Sequence, residues 1–122
     1  MGSFDPRIVL AGSVGSSRRT LRALLRHGMK VVGVLGLSPD AAGNVSGYVR
    51  LDDLAKSRNV PYAEFRNINE RTVEETVRSW DPDLLFVVGL SQLVRPALLK
   101  MPRWGCVGFH PTWLPEGRGR AP

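Results

Sequence analysis

Residues 83–94 read DLLFVVGLSQLV, and this stretch decides the fold. Asp81-Pro82 stops the helical pattern ahead of it, because the residue before a proline is pushed out of the helical region. The next five residues, LLFVV at 84–88, are apolar without alternation. A strand with one wet face alternates apolar and polar side chains, whereas a strand covered on both faces does not. The run therefore reads as a central strand of a parallel sheet, ended by Gly89. Parallel neighbours need helical crossovers, so helices are expected on both faces.

Working outward, the crossovers are present. Residues 7–11 (RIVLA) form a short apolar run closed by Gly12, and residues 31–37 form a second, rich in β-branched side chains. Between them Leu21, Leu24, Leu25 and Met29 lie at helical spacing, with Arg18, Arg19, Arg22 and Arg26 outside. Ser16 or Ser17 is the expected cap and Gly28 the expected stop. Residues 38–50 have no period and are expected to form a loop or flap. Leu51, Leu54 and Ala55 support a short helix, and 60–65 a third strand. Asn67 and Glu70 have capping-box spacing ahead of a helix carrying Val73, Val77 and Trp80. After 84–88 come a short helix near 94–100 and a fifth strand at 106–109. The expectation is an α/β, Rossmann-like open parallel sheet with helices on both faces.

Composition agrees with a single folded unit. The chain has 122 residues, 43% hydrophobic and 23% charged, enough for a core and too apolar for a disordered tail. One cysteine, Cys106, excludes an internal disulfide scaffold and favours a cytoplasmic setting. No stretch reaches the roughly 18 apolar residues of a membrane span, and membrane partners are not expected. The net charge is +6, unevenly placed: residues 1–30 carry +5, residues 31–94 carry −3, and residues 95–122 carry +4. Such a field suits an anionic partner, whether a phosphorylated metabolite, a polyglutamyl tail or RNA, and equally suits a solvated arginine-rich surface. A nucleic-acid surface would use Arg18, Arg19, Arg22, Arg118 and Arg120, but no RNA-binding motif with stacking aromatics accompanies them.

In an open α/β sheet, ligands bind beyond the carboxyl ends of the strands, where the strand order reverses. Three segments converge there. GSVGSS at 12–17 is either an anion cradle at a helix N-terminus, through Gly12, Ser13, Gly15 and Ser16, or a tight turn with no ligand. Its spacing matches neither a dinucleotide fingerprint nor a P-loop. Leu90, Ser91, Gln92, Leu93 and Val94 form either a turn whose backbone groups read a heterocycle, with Leu90, Leu93 and Val94 as walls, or an ordinary strand-to-helix turn. The third segment, 108–122, places His110 at the end of a buried strand in a proline-braced loop. Its imidazole is either a proton shuttle near neutral pH or a structural group. His27, His110 and Cys106 lack paired-ligand spacing, so no metal is expected.

The segment 83–122, DLLFVVGLSQLVRPALLKMPRWGCVGFHPTWLPEGRGRAP, resembles the 10-formyltetrahydrofolate-dependent formyltransferases, most closely their methionyl-tRNA branch. The likeness extends more loosely over the first strand, the glycine turn and DDLAKSRNVPYAEF at 52–65. It implies a Rossmann-like fold and transfer of a formyl group from 10-formyltetrahydrofolate to a primary amine. The amine would belong to initiator tRNA, an amino-sugar nucleotide or a small metabolite. By resemblance His110 takes the catalytic histidine's place. Thr112, Trp113, Leu114 and Pro115 match the loop lying against the folate, and 90–94 the segment whose backbone reads the pterin. Residues 12–16 match the turn that holds a substrate phosphate.

Two departures accompany the resemblance. The family's catalytic asparagine, two positions before the histidine, is replaced here by Gly108. The family's catalytic aspartate lies beyond Pro122, so 1–122 is expected to be an N-terminal folate-binding and catalytic domain, incomplete at its C-terminal end. The alternative expectation is a catalytically impaired folate- or nucleotide-binding homologue. An open strand edge in such a half-domain would make a second copy an expected partner.

Overall fold

A computed structural model describes residues 5–109. The strands are β1 (Arg7–Gly12), β2 (Lys30–Leu37), β3 (Tyr62–Phe65), β4 (Leu84–Val88) and β5 (Cys106–Phe109). The helices between them are α1 (Gly15–Arg26), α2 (Asp52–Ser57), α3 (Arg71–Trp80) and α4 (Pro96–Leu99). All strand pairings are parallel, in the order β3-β2-β1-β4-β5. The chain winds outward from β1 to β3, returns past its start to β4, and ends on β5.

This order explains which face each helix covers. Right-handed crossovers leading outward on one side of β1 put α1 and α2 on one face; those leading outward on the other side put α3 and α4 opposite. Alternation along the strands follows. Leu10 and Val34 pack with Leu21, Leu51, Ala55 and Val60. Val9, Ala11, Leu35 and Leu37 pack with Val73, Val77 and Leu98. Ile8, Val9, Leu10 and Ala11 are all fully buried, since β1 is covered on both sides. Leu85, Val87 and Val88 in β4 are buried as well, while Leu84 and Phe86 are only partly buried, so the apolar run at 84–88 is covered completely on one face and less so toward the start of the other.

At the amino ends of the strands, Asp83 is buried and accepts a hydrogen bond from the Arg7 amide (2.8 Å) as well as pairing with Arg103. The Arg7 amide hydrogen bond, with the Arg103 guanidinium behind it, holds this carboxyl below the usual carboxylate range. One carboxylate thus ties β1, β4 and the approach to β5 together.

Several local details differ from the sequence expectations. Helix α1 starts at Gly15 with Val14 as its N-cap, so Ser16 and Ser17 lie inside the helix, and Ser17 contributes from N3, its hydroxyl accepting from the Val14 amide. Asn67 does not open α3; Glu70 caps that helix, and its carboxylate accepts from the Arg66 and Asn67 amides (3.0 Å each). The segment 38–50 is laced down rather than loose. It contains a 3₁₀ turn at Pro39–Ala41, Tyr48 donates to the Leu37 carbonyl at 2.6 Å, and Val14 bridges to Tyr48. Among the described residues no helix is long and apolar enough to cross a membrane.

Candidate functional site

Strands β1 and β4 lie side by side, yet the chain leaves them toward opposite faces, α1 on one and α4 on the other. The crevice beyond their carboxyl ends is the topological switch point. Two glycine turns meet there, and they interlock. The Ser17 hydroxyl accepts from the Ser13 (3.0 Å) and Val14 (3.2 Å) amides and donates to the Val88 carbonyl at 2.5 Å. The Ser13 hydroxyl donates to the Gly89 carbonyl at 3.0 Å. Both serines are buried, so these bonds replace water completely.

The close approach requires glycine at two positions. A Cβ on Gly12 would lie 2.3 Å from both the Ser17 Oγ and the Val88 carbonyl oxygen. Gly89 has φ +64°, and a Cβ there would fall 2.4 Å from Val14 Cγ2. Backbone can pass this near only without side chains.

The interlock divides the residues of the first turn. Gly12 and Ser13 build it, and the Ser13 hydroxyl is committed inside the protein. The Gly15 and Ser16 amides, at the positive end of the α1 dipole, have no acceptor among the described residues. Outside them, Arg18 is spent: it holds both Asp53 carboxylate oxygens (2.7 and 2.9 Å) and the Arg50 carbonyl. The bond to Arg18 holds the Asp53 carboxyl down to about 2. Its folded value lies below the unfolded one, so the pair stabilises above about pH 4 and loses its contribution as pH falls toward 2. Asp53 is 66% exposed, which limits the pair to under about 1 kcal/mol. Asp53→Asn should therefore lower stability by less than about 1 kcal/mol at pH 7. The gap from the parent protein should close between about pH 4 and 2 in urea titrations.

In the second turn, Leu90 is buried and Val94 packs against the core, while Ser91 is exposed and Leu93 is 85% exposed. Gln92 turns back into the protein. Its Oε1 accepts from the Ile68 amide (2.6 Å) and its Nε2 donates to the Arg66 carbonyl (2.8 Å). Asn69 answers from the other side, donating to the Leu93 carbonyl (2.8 Å) and accepting from the Arg95 amide (2.9 Å). Asn69 was not singled out by sequence reasoning, because its partners lie 24 and 26 residues away.

Strand β5 brings residues 108 and 109 up to the same end of the sheet, with Val87 level with Gly108 and Val88 level with Phe109. His110, Thr112, Trp113, Leu114 and Pro115 lie outside the described residues. Cys106 makes a long contact with the Leu99 carbonyl (3.4 Å), and burial pushes its thiol above the usual range, which disfavours a thiolate nucleophile. Among the described residues no three His, Cys, Asp or Glu side chains come together as metal ligands. An open depression of about 450 Å³ lies by β3 between Arg50, Lys56, Tyr62 and Glu64, two strands away from the switch point. Arg50 there is already paired with Asp52 and Glu64.

No model of a known protein family matches the chain. Curated relatives do. The methionyl-tRNA formyltransferase of Thermotoga maritima is 30% identical over 118 residues, covering 95% of this chain and 38% of that protein. That of Geotalea uraniireducens is 31% identical with the same coverage. The chain thus spans under two fifths of the length of these relatives. Among solved structures, glycinamide ribonucleotide transformylase 1 from Geobacillus kaustophilus superposes with a TM-score of 0.67 at 19% identity, over 97% of this chain and 64% of that one. Phosphoribosylglycinamide formyltransferase from Streptococcus pneumoniae gives 0.63 at 19% identity, over 91% and 59%. At such identities the structural likeness bears on the fold.

Proposed function

We propose, from the premise that this chain is an N-terminal segment of the formyltransferase family, that the protein moves a formyl group from 10-formyltetrahydrofolate to a primary amine. Residues 1–122 would serve as the folate-binding and catalytic front of the domain, completed by sequence further along the protein. The observation that carries the reading is the switch point. Two locked turns there leave the Gly15 and Ser16 amides without an acceptor among the described residues on one side and the Ser91 and Leu93 side chains exposed on the other, with β5 ending one residue before His110.

The chemistry asks for three things. The amine nitrogen attacks the formyl carbon, so a C–N bond forms while negative charge gathers on the formyl oxygen. A base takes a proton from the attacking nitrogen, and the folate nitrogen receives one as its own C–N bond breaks. His110 is suited to carry the proton between the two nitrogens, since an imidazole both accepts and donates near pH 7. Leu90, Ser91, Gln92, Leu93 and Val94 would form one wall for the pterin, and Thr112, Trp113, Leu114 and Pro115 the other. Leu93, 85% exposed, would present its apolar side chain to the heterocycle. The Gly15 and Ser16 amides would receive an anionic group of the amine substrate, with initiator methionyl-tRNA the acceptor favoured by the sequence similarity.

In the full-length protein, His110→Ala should lower kcat by about 10²–10⁴ and leave folate affinity unchanged. A parent protein that binds folate yet formylates no amine would overturn the reading. Gly108 motivates the alternative, a folate-binding homologue with impaired catalysis, because glycine offers no side-chain donor to the formyl oxygen.

A further inference from the structure

The two amide side chains that face each other across the sheet end have a role that the reaction itself does not call for. Gln92 reaches from the β4–α4 turn to the backbone of residues 66 and 68, and Asn69 reaches from the β3–α3 turn to the backbone of residues 93 and 95. Each side chain presents one carbonyl and one NH₂ group, and each uses both on the opposite loop. Four hydrogen bonds of 2.6–2.9 Å result, related by exchange of the two loops. Strands β3 and β4 are not neighbours, since β2 and β1 lie between them. Without the pair, nothing in the sheet ladder would hold the 89–95 turn against the 66–70 turn.

The anchoring side is itself stiff. The Glu70 carboxylate accepts from the Arg66 and Asn67 amides, Asn67 Oδ1 accepts from the Asn69 amide (2.8 Å), and Ile68 is fully buried. The held side carries Leu93, whose carbonyl is bonded while its side chain stands in water.

We propose that Gln92 and Asn69 form a reciprocal clasp that positions the 91–94 backbone and the Leu93 side chain as a preformed wall for the folate heterocycle, with neither amide reading the ligand. This rests on the functional reading above and assigns Gln92 a different task from the segment it belongs to. Preorganisation acts by removing the ordering cost from binding, so its loss appears in affinity for folate rather than in the chemical step.

The test uses the full-length protein with Gln92→Met, which keeps the side chain's length and loses both bonds, and Asn69→Ala, which breaks the other half from the opposite loop. In Gln92→Met the Ile68 amide should exchange about tenfold faster, and the Arg95 amide, bonded only to Asn69, should accelerate with it because the clasp acts as a unit. Calorimetry with 5-formyltetrahydrofolate should give a Kd about tenfold weaker for either variant, with the KM for 10-formyltetrahydrofolate raised alike and kcat within about twofold. Faster exchange with an unchanged Kd, or a fall in kcat at unchanged KM, would overturn the clasp's assignment while leaving the functional reading standing. A parent protein giving no heat at millimolar folate would overturn both.

Discussion

Gly12→Ala should cost about 3–5 kcal/mol of stability, the sum of an overpacked contact and a broken buried hydrogen-bond network. The added Cβ would meet the Ser17 Oγ and the Val88 carbonyl oxygen, each at 2.3 Å, and the Ser17 Cβ at 2.5 Å. None of these can step aside cheaply. The carbonyl belongs to a central strand, and the hydroxyl already bonds the Ser13 and Val14 amides and Val88 itself. Moving Ser17 would leave those buried groups unpaired. Against a typical total of about 5–15 kcal/mol, the loss leaves a domain near its folding threshold. Gly15→Ala, three residues on, is the control. A Cβ there meets only the Arg19 Nη1 at 3.3 Å, the far end of a flexible side chain, and alanine favours a helix by up to about 1 kcal/mol. Denaturant midpoints of the two variants should therefore move in opposite directions. Equal, small shifts would mean that the interlock does not bear on stability.

The same contrast explains how much was legible in the sequence. Strands β4 and β5 match their apolar runs to the residue: β4 lies between two strands with Leu85, Val87 and Val88 buried, while β5, at the edge of the described sheet, has Cys106 and Val107 only partly buried and Gly108 exposed. Strand β3 begins at Tyr62 rather than at 60: the Val60 amide turns back to the Ala55 carbonyl and closes α2. A buried β-branched residue serves either purpose, and only the hydrogen bond separates them. Ser17 reads locally as a cap because serine before a helical pattern usually is one. Its hydroxyl does accept from the Val14 amide at the N-cap, but it also accepts from Ser13 and donates to the Val88 carbonyl, 71 residues away. The box at Asn67 and Glu70 is half right for a related reason. Glu70 does reach back to amides, but it gathers the turn before the helix, since Asn67 is occupied with Asn69. For the site, position along the chain located the turns, while the commitments of Ser13, Gln92 and Arg18 depend on contacts that no local pattern encodes.

Gly108→Asn should raise kcat for formyl transfer by about 10²–10³ in the full-length protein, equivalent to about 3–4 kcal/mol of transition-state stabilisation. The reason lies in what the reaction leaves unpaired. In the proposed reaction the formyl oxygen would change from a neutral carbonyl to an anion as the amine adds, and a fixed donor aimed at it would stabilise that charge. A histidine given the proposed proton-carrying role would not supply it at the same time. Position 108 is level with Val87 on β4 and lies on the face of β5 from which Cys106 contacts the Leu99 carbonyl of α4. It is exposed rather than packed, so the new side chain need not displace core. Because the donor acts on charge that exists only in the transition state, folate affinity and KM should stay within about twofold while kcat rises. An unchanged kcat would show that a backbone amide or water already fills the role, and that glycine here is an alternative solution to the same electrostatic demand. A large increase would instead identify Gly108 as the residue that holds this chain below the catalytic power its fold supports.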